Sequence, residues 1–481
     1  MLRPDSGTGP GHYAAAMDVP SQLVELIGAS HVHTHPIDRL IYAKDSGVTA
    51  GDPAIVVLPE TTEEVAAVVR IAADAGMPVV ARGAGTGLAG GAVPCPGSVL
   101  VVLTRMNAIF EIDEIGRTAW VGPGLINLDL SNALTERGLH FAPDPASQQA
   151  STVGGNTATN AGGPHCLAEG STIAHVLGVE LVTAEGDVVM LAGAAPDLPG
   201  YDLRGLIVGS EGTLGIVTRV LVRLTENPPA VATMLVSFDD INDAARTVSE
   251  IIGSGLVPAA LEMMDRGMIE AIENFVNAGL PVGADAVLLA EVVGHPRGIA
   301  AEVDLIQGIA QRNRAREIRT ASDDDERALL WKGRKSAFGA IAQAAPDYYL
   351  NDTVVPRTRF VEVLDEIYTI ADTYGLRLMN VFHAGDGNLH PLVSYDAAEP
   401  GMTEKVVEAA HEMVRVSVAA GGTLSGEHGI GLEKRDLMSQ VFNAADLDAQ
   451  ARVRDAFDPD RLMNPGKVLP GGSRCFDRPA G

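Results

Sequence analysis

Cysteine is scarce in this sequence, and its distribution excludes several kinds of site. The 481 residues contain three cysteines, Cys95, Cys166 and Cys475, which are far apart and form no CxxC pair. This spacing excludes a disulfide framework, and it excludes an iron–sulfur cluster held by four thiolates of this chain alone. The same pattern fits a reducing compartment, so we expect the protein in the cytoplasm.

Long apolar runs and excess positive charge are also lacking. Segments such as AVLLAEVVG are much shorter than the roughly 18 apolar residues that span a bilayer. Lys and Arg number 35 against 62 Asp and Glu, which gives a net charge of -27 and a pI near 4.7. A surface of that charge repels phosphate backbones, which argues against nucleic acid as a partner.

The chain is long enough for two or three domains at about 150 residues each. Strand-like runs with glycine loops occupy residues 53–218, whereas amphipathic helical patterns such as the one at 403–422 follow from about residue 240. The change falls at TENPPAVA, residues 225–232, where two prolines indicate a boundary.

These patterns predict four segments. Residues 1–19 are rich in Gly and Pro, lack the apolar core of a secretion signal, and are predicted to form a disordered leader. The first domain is predicted at 20–227 and the second at 228–470, with the last part of the second returning to the first. Residues 471–481 form a tail.

A glycine loop follows the strand-like run PVVAR in the first domain. Gly85, Gly87 and Gly90 match GxGxxG, and Glu111 or Asp113 follows about 20 residues later, as in a Rossmann dinucleotide site. The next segment, GGAVPCPGSVLVVL, contradicts that fold, because it has two prolines and a strand where a helix must begin.

Two further glycine loops lie at residues 151–164 and 209–217, and APDPASQ lies beside the first of them. A single glycine cluster is often only a turn. Three clusters joined by strand-like runs favour a long ligand held by backbone N–H groups across several loops, and an extended dinucleotide is the simplest candidate.

The second domain contains VFHAGDGNLHPLV, residues 381–393, which predicts a hairpin with His383 and His390 on either side of a glycine-rich turn. Facing histidines can be packing residues bonded to backbone, and they can also be ligands of a metal.

Long collinear motifs between about residues 40 and 470 resemble a known family. The three glycine loops resemble the FAD-binding domain of the flavoproteins related to vanillyl-alcohol oxidase and p-cresol methylhydroxylase. The motifs LEMMD, LLWKGRKSAFGAI, PDYYLNDTVVPR, VFHAGDGNLHPL, GGTLSGEHGIGLEKRDLM and FDPDRLMNPGKVLP resemble those of the FAD-linked 2-hydroxyacid dehydrogenases and oxidases, in the branch of the glycolate oxidase flavoprotein subunits. D-lactate and D-2-hydroxyglutarate dehydrogenases are relatives of this branch.

The resemblance implies an α+β fold, in which a two-part FAD-binding domain is followed by a C-terminal α+β cap, the FAD-linked oxidase C-terminal domain. It implies non-covalent FAD, although His165 and Cys166 also suggest a covalent link, which some members of the wider superfamily have. The implied FAD-binding residues are Arg82, Gly83, Ala84, Gly85, Thr86, Gly87, Gly90, Gly91, Pro143, Asp144, Ser147, Thr152, Gly154, Gly155, Asn156, Asn160, Gly162, Gly163, Glu211, Gly212, Gly215, Ile216 and Asn464.

The resemblance also implies the ligands of a divalent metal, Zn²⁺, Mn²⁺ or Fe²⁺. They are His383, His390 and Glu427, the last from the motif GEHG. His428 is a candidate general base, since its ordinary pKa is near neutrality. Arg334 is a candidate for binding the substrate carboxylate, with an exposed helix arginine as the alternative.

Two further features concern the surroundings of the site. Tyr348 and Tyr349 are candidates for lining the pocket. The sequence departs from the family at Glu169, where relatives usually have a tyrosine before glycine, so we expect a difference in the surroundings of the flavin.

The predicted function is FAD-dependent oxidation of a small 2-hydroxy acid, of glycolate or D-lactate type, to the 2-oxo acid. Because this chain cannot hold an iron–sulfur cluster, we expect electrons to pass to an iron–sulfur or quinone-linked partner, which would bring the protein to the inner membrane face. The alternative is a dehydrogenase for D-2-hydroxyglutarate or another D-2-hydroxy acid without a dedicated iron–sulfur subunit. Oligomeric state stays open, with a homo-oligomer among the alternatives.

Three other classes of protein would have different features. A nicotinamide-dependent Rossmann enzyme predicts a helix after Gly90, a metallohydrolase predicts metal without flavin, and a non-catalytic flavin-binding subunit predicts flavin that substrate does not reduce.

Overall fold

The computed structural model describes residues 11–195 and 199–471. From Gly11 to Ile27 the chain forms a helix, which differs from the disordered leader predicted to residue 19. The reason is local, because the run of three alanines at 14–16 favours helix. Residues 1–10 of the predicted leader and 472–481 of the predicted tail lie outside the described residues.

The first domain begins with a small, mostly parallel sheet. Its strands are β1 (Val32–His33), β2 (Ile55–Val57), β3 (Val79–Arg82) and β4 (Val99–Val102), and the helices of this region are α1 (Gly11–Ile27), α2 (Pro36–Leu40) and α3 (Thr62–Asp74). Both β2 and β3 pair in parallel with β4, and the apolar sides of α1 and α3 pack against them. Between Gly83 and Ser98 the chain forms turns, so the helix required by a Rossmann site is absent from this described segment.

An antiparallel sheet completes the first domain. In spatial order its strands are β5 (Ile109–Asp113), β6 (Thr118–Val121), β10 (Ile216–Arg223), β8 (Val176–Val182) and β9 (Val188–Ala192). The short strands β7 (Leu139–His140) and β11 (Thr225–Glu226) pair separately. The helices here are α4 (Asn127–Leu134), α5 (Val153–Thr159), α6 (Cys166–Glu169) and α7 (Leu203–Ile207).

The second domain is built on an antiparallel sheet of eight strands. They are β12 (Val231–Phe238), β13 (Ala260–Asp265), β14 (Ala286–Val293), β15 (Glu317–Thr320), β16 (Asp347–Leu350), β17 (Thr353–Val354), β18 (Arg377–His383) and β19 (Asn388–Tyr395). Their order is β15-β12-β14-β13-β18-β19-β16, and β17 also pairs with β19. The chain crosses from the first domain to this sheet between Glu226 and Val231, inside the segment that carries the two prolines.

Helices cover the two faces of this large sheet unequally. The second-domain helices are α8 (Ile241–Gly253), α9 (Arg266–Val276), α10 (Pro296–Arg312), α11 (Asp324–Lys335), α12 (Ala337–Ala344), α13 (Phe360–Thr373), α14 (Met402–Ala419) and α15 (Ala444–Phe457). Short 3-10 helices lie at Ala29–His31, Thr135–Arg137, Thr172–Ala174, Arg357–Arg359 and Arg435–Gln440. One face packs against α8, α10, α13 and α14, and the other packs against α9, α11 and α12.

The predicted hairpin is confirmed as β18 and β19. Val381 lies opposite His390, and His383 lies two residues further along the same strand. Because side chains alternate between the faces of a sheet, Val381, His383 and His390 share one face. That face is the one that α9, α11 and α12 cover only in part, so it is turned toward the glycine loops of the first domain.

The end of the described chain returns to the first domain. The residues after α15 bring Met463 beside Val79 of β3, and the Asn464 amide donates to the Val79 carbonyl at 2.7 Å. Asn464 has a left-handed φ of 40°, which an asparagine adopts more readily than most residues. The last segment therefore lies beside the glycine loops.

Candidate active site

A cavity of about 420 Å³ lies between the two domains. On one side it is lined by the three glycine loops, and on the other by the open face of the large sheet. Of the predicted FAD-binding residues, those lining it are Arg82, Gly83, Ala84, Gly85, Thr86, Gly87, Gly91, Ser147, Thr152, Gly154, Gly155, Asn156, Glu211, Gly212, Gly215 and Ile216. From the second domain, Arg334, Tyr348, His383, His390, Glu427 and His428 line the same space.

Backbone geometry explains why glycine is needed in these loops. Gly85 has a φ of 74°, in the left-handed region that side chains disfavour. A Cβ added to Gly83 would lie 2.3 Å from Oγ1 of Thr152, so two loops could not approach each other as closely. Nη1 of Arg82 is buried and has no hydrogen bond within the described part of the chain, which leaves a cationic donor beside the cavity. A glycine-lined cradle with a free donor fits the phosphates of a dinucleotide.

The remaining predicted FAD-binding residues do not line this cavity. They are Gly90, Pro143, Asp144, Asn160, Gly162, Gly163 and Asn464. Several of them hold the loops in place instead. The Asn464 side-chain amide donates to the carbonyls of Gly91 and Glu211 at 2.8 and 2.6 Å, and Asn160 ends α5 in a left-handed conformation.

Gly162 contacts the metal-ligand candidate rather than the cavity. A Cβ built on it would lie 2.6 Å from Oε2 of Glu427 and 2.9 Å from Sγ of Cys166. Because Gly162 has no side chain, there is space beside it for the Glu427 carboxylate.

Glu211 joins the first domain to the loop that carries Glu427. Its carboxylate is buried and accepts from the Ile430 amide at 2.7 Å and the Gly431 amide at 2.9 Å. Its side chain is therefore used mainly to hold a loop of the second domain, although it also borders the cavity.

His383, His390 and Glu427 come together as predicted from the resemblance. Nε2 of His383 lies 3.1 Å from Oε1 of Glu427, and Nε2 of His390 lies 3.0 Å from the same oxygen. The His383 and His390 rings meet edge to face with centroids 5.0 Å apart. Nδ1 of His383 lies 2.8 Å from Oε1 of Glu262, which is fully buried. A carboxylate behind an imidazole fixes the ring so that the other nitrogen is available to a metal.

The electrostatics of this cluster follow from its burial. Burial opposes the charge of His383, but the carboxylates of Glu262 and Glu427 raise the pKa of His383 well above its ordinary value. Burial likewise opposes the charge of Glu427, yet His383 and His390 hold its pKa well below the usual range.

The donor set fits a divalent metal. One ligand atom from each of His383, His390 and Glu427 lies within 4.8 Å of the others. Both ring nitrogens of His390 are buried, and although Nε2 lies 3.0 Å from Glu427, neither forms a well-aligned hydrogen bond in the described residues, which is costly unless another group binds them. Two imidazoles and one carboxylate suit Zn²⁺, Mn²⁺ or Fe²⁺.

Asp352, His390 and His428 form a second group with the same spacing. The Asp352 carboxylate is already engaged, because it accepts from the Gly426 amide at 3.0 Å, the His428 amide at 3.0 Å and the Ser425 hydroxyl at 2.5 Å. The group with Glu427 is therefore the better candidate for metal.

Asp352 also determines the shape of the loop Ser425–Gly431. It lies fully buried after β16, and its carboxylate accepts backbone N–H groups from the stretch that carries Glu427 and His428. Burial opposes ionisation, but Lys434 together with His428 and His390 holds the pKa of Asp352 below its usual range. The Lys434 ammonium lies 3.4 Å from Oδ2 of Asp352.

His428 stacks on His390, with ring centroids 5.0 Å apart and planes 13° apart. Burial lowers the pKa of His428 to about 4, so the imidazole is neutral near pH 7. A neutral imidazole can accept a proton from a group bound in the cavity.

Arg334 is buried in α11, with 3% of its side chain exposed, and forms an ion pair with Glu262. The alternative interpretation, an exposed helix arginine, is wrong. Arg334 lines the cavity, so its guanidinium is a candidate donor for an anionic ligand.

Tyr348 and Tyr349 are neighbours in β16, so their side chains lie on opposite faces of the sheet. Tyr348 lines the cavity, whereas Tyr349 is buried with its hydroxyl directed toward Glu433 at 3.5 Å. Glu169 does not line the cavity, and its backbone carbonyl lies 2.9 Å from Nε2 of His175.

His165 and Cys166 are also outside the cavity lining. Nδ1 of His165 lies 3.0 Å from Asp144 and Nε2 lies 3.4 Å from Glu291, a buried residue of β14. Burial opposes the charge, but these carboxylates raise the pKa of His165 to about 10. Because both ring nitrogens face carboxylates, the residue is part of an interdomain ion cluster, and nothing in its geometry favours a covalent flavin link.

Glu262 and Asp352 were missed in the sequence interpretation, although both lie in motifs that carry the resemblance. A signal exists for Glu262, because it is one of two acids in ALEMMD, a strand that is buried at every position. An acid in such a strand needs a partner, and Arg334 with His383 supplies it.

Comparisons with known proteins agree with this geometry. The model for the C-terminal domain of FAD linked oxidases matches residues 227–468, and the model for an FAD binding domain matches residues 53–192. The chain is 44% identical to glycolate oxidase subunit GlcD of Escherichia coli (strain K12), covering 92% of this chain and 89% of that protein. It is 33% identical to D-lactate dehydrogenase [cytochrome] 1, mitochondrial, of Saccharomyces cerevisiae (strain ATCC 204508 / S288c), covering 87% and 72%.

A solved structure supports the fold. The crystal structure of p-cresol methylhydroxylase with substrate bound aligns with a TM-score of 0.81 at 18% identity, covering 96% of this chain and 98% of that one. The predicted fold, an FAD-binding domain followed by an α+β cap, is confirmed.

Replacing Asp352 by Ala should destabilise the protein strongly. The change leaves the buried charge of Lys434 without its carboxylate and several N–H groups of the loop Ser425–Gly431 without their acceptor, which typically costs about 3–5 kcal/mol. Denaturant unfolding followed by circular dichroism measures the free energy of unfolding. The control is Asp448→Ala, which removes an exposed pair with Arg452 and should change it by less than about 1 kcal/mol. Equal effects of the two changes would contradict the role of Asp352.

Proposed function

This chain belongs to the FAD-linked oxidase family, and we propose that it oxidises a 2-hydroxy acid of glycolate or D-lactate type to the 2-oxo acid with FAD as the hydride acceptor. One observation carries the proposal. The glycine loops and the cluster of His383, His390 and Glu427 line the same cavity, so a dinucleotide and a small acid would meet there. The printed names of the relatives, a glycolate oxidase subunit and a D-lactate dehydrogenase, support the substrate class.

Each cofactor supplies chemistry that side chains lack. FAD, held non-covalently by the glycine loops and Arg82, would accept the hydride of the substrate α-carbon. A divalent ion held by His383, His390 and Glu427 would act as a Lewis acid toward the substrate hydroxyl and carboxylate.

The protein's own residues bind and orient the acid. Arg334 lines the cavity with a guanidinium side chain, which suits a carboxylate, and its pair with Glu262 fixes its orientation. Tyr348 and Phe338 give the cavity an apolar side wall next to the flavin loops. His428, stacked on His390 within the same cavity, takes the proton of the substrate hydroxyl as the hydride leaves the α-carbon.

Electrons must then leave the protein. We propose an iron–sulfur or quinone-linked partner as the acceptor, because three scattered cysteines cannot hold a cluster. The relatives named as a subunit and as a cytochrome-linked dehydrogenase support transfer to another molecule. In the described residues, no helix is long and apolar enough to cross a membrane, so an association with the inner membrane face would depend on that partner.

The purified protein should be yellow, and glycolate or D-lactate should bleach its visible absorbance in the absence of oxygen. Propionate, which has no hydroxyl group on the α-carbon, is the control and should leave the spectrum unchanged. Acid precipitation should release all the colour, since the FAD is not covalently bound. A colourless protein, or a flavin that none of these acids reduces, would overturn the proposed reaction.

Replacing His383 or His390 by Ala should remove the metal and most activity while FAD stays bound, because the glycine loops are unchanged. Metal content by atomic absorption and flavin content by absorbance separate the two sites. His428→Ala should keep both cofactors and lower kcat by about 10². The control His295→Ala alters an exposed residue at the start of α10 and should keep metal and rate. Full activity in metal-free wild type would refute the metal site.

The isolated protein should reduce an artificial dye with 2-hydroxy acid much faster than it reduces O₂. The reason is that the partner, rather than oxygen, is the proposed acceptor. Parallel assays of dye reduction and hydrogen peroxide formation measure the ratio. Rapid, stoichiometric hydrogen peroxide formation would make the partner unnecessary.

A further inference from the structure

His383 and Glu427 border a second, smaller cavity of about 230 Å³. It lies between the start of α6 in the first domain and the turn of the hairpin β18–β19. Its other lining residues are Gly163, Cys166, Ser171, Val354, Asp386, Asn388 and Gly426. Of the two cavities, only the larger one is lined by His390 and His428. The candidate metal position therefore has a face toward each cavity.

The second cavity reaches the surface of the protein. Gly426 is exposed, and Ser171, Val354 and Asp386 are only partly buried. The larger cavity, by contrast, is the space that FAD and the acid would fill. A small solute could reach His383 and Glu427 through the second cavity while the larger one is occupied.

The two cavities differ in charge. The lining of the larger one contains three cations, Arg82, Arg334 and Lys335, beside the carboxylates of Glu211 and Glu427. The residues lining the second cavity include Asp386 and Glu427 but no Lys or Arg. The side-chain carbonyl of Asn388 is buried there without a hydrogen bond in the described chain, so it is a further oxygen acceptor.

Size is compatible with a hydrated ion. At about 30 Å³ per water molecule, the second cavity corresponds to roughly eight waters, enough for a divalent ion with its inner hydration shell. Hard cations prefer the oxygen ligands that this lining offers.

We propose that the second cavity is the route by which the divalent metal enters and leaves its site, so that metal exchanges while flavin stays bound. The inference rests on the proposed metal site. In this proposal Val354 limits the width of the route, and Asp386 attracts the cation.

Val354 offers a matched pair of variants. It belongs to β17, and its backbone pairs with Asn388 and Thr423, so a new side chain leaves those hydrogen bonds in place. Val354→Phe should narrow the route and slow the transfer of Zn²⁺ from the loaded holoenzyme to a chromophoric chelator by about tenfold or more. Val354→Ala should leave the rate equal or faster. Both should keep the flavin spectrum and the rate of flavin reduction.

Asp386→Asn is an independent variant that keeps the side chain's size and removes its charge. It should slow Zn²⁺ uptake by the metal-depleted protein, with FAD bound, by about tenfold.

Contrary results distinguish the hypothesis of the metal route from that of the metal site. If Val354→Phe and Asp386→Asn exchange metal as fast as wild type, the route is wrong and the metal site stands. If the wild type binds no Zn²⁺ while its flavin is reduced by substrate, the metal site fails and the route fails with it.

Discussion

The buried carboxylate of Asp352 is the contact on which the site most depends. Glu427 and His428 lie on the loop Ser425–Gly431, which has no regular secondary structure to fix it. The Asp352 carboxylate replaces such structure by accepting three consecutive amides, those of Gly426, Glu427 and His428. A buried carboxylate is stable only with such donors and a cation, here Lys434. The buried charge of Asp352 therefore orients Glu427, the candidate metal ligand, and His428, the candidate base.

The same loop is held from the other domain by Glu211. Its carboxylate binds the Ile430 and Gly431 amides, while its backbone carbonyl accepts from Asn464 of the returning C-terminal segment. Loops that carry reactive groups need rigid support, and here two domains share the task. A displacement of the cap relative to the glycine loops would break these bonds, so the dinucleotide cradle and the metal ligands are fixed in position relative to each other.

Local patterns were sufficient for part of this site. The hairpin and the shared face of His383 and His390 follow from turn residues and the alternation of a strand, which act over a few positions. The resemblance identified Glu427, but neither approach identified Asp352 or Glu262 as partners. Asp352 lies about 75 residues from the amides it binds, and Glu262 lies 121 residues from His383. Contacts at such separations depend on the order of strands in the sheet, which periodicity does not determine. The helix Gly11–Ile27 begins inside the predicted leader, where an alanine run favours helix despite its Gly-rich and Pro-rich neighbours.

The distribution of charge suggests how a strongly acidic protein binds an acid. The net charge of -27 repels anions at a distance, so long-range attraction cannot bring a 2-hydroxy acid to the cavity. Within the cavity, Arg334 is paired with Glu262 and Lys335 lies 3.2 Å from Asp144, so neither cation projects an unbalanced field into solvent. Salt screens charges beyond about 8–10 Å in any case. Recognition must therefore come from short hydrogen bonds made after the acid has entered, and the guanidinium of Arg334, which lines the cavity, is one donor group available for them. Selectivity would accordingly depend on the geometry of this cavity, with little contribution from the overall charge of the protein.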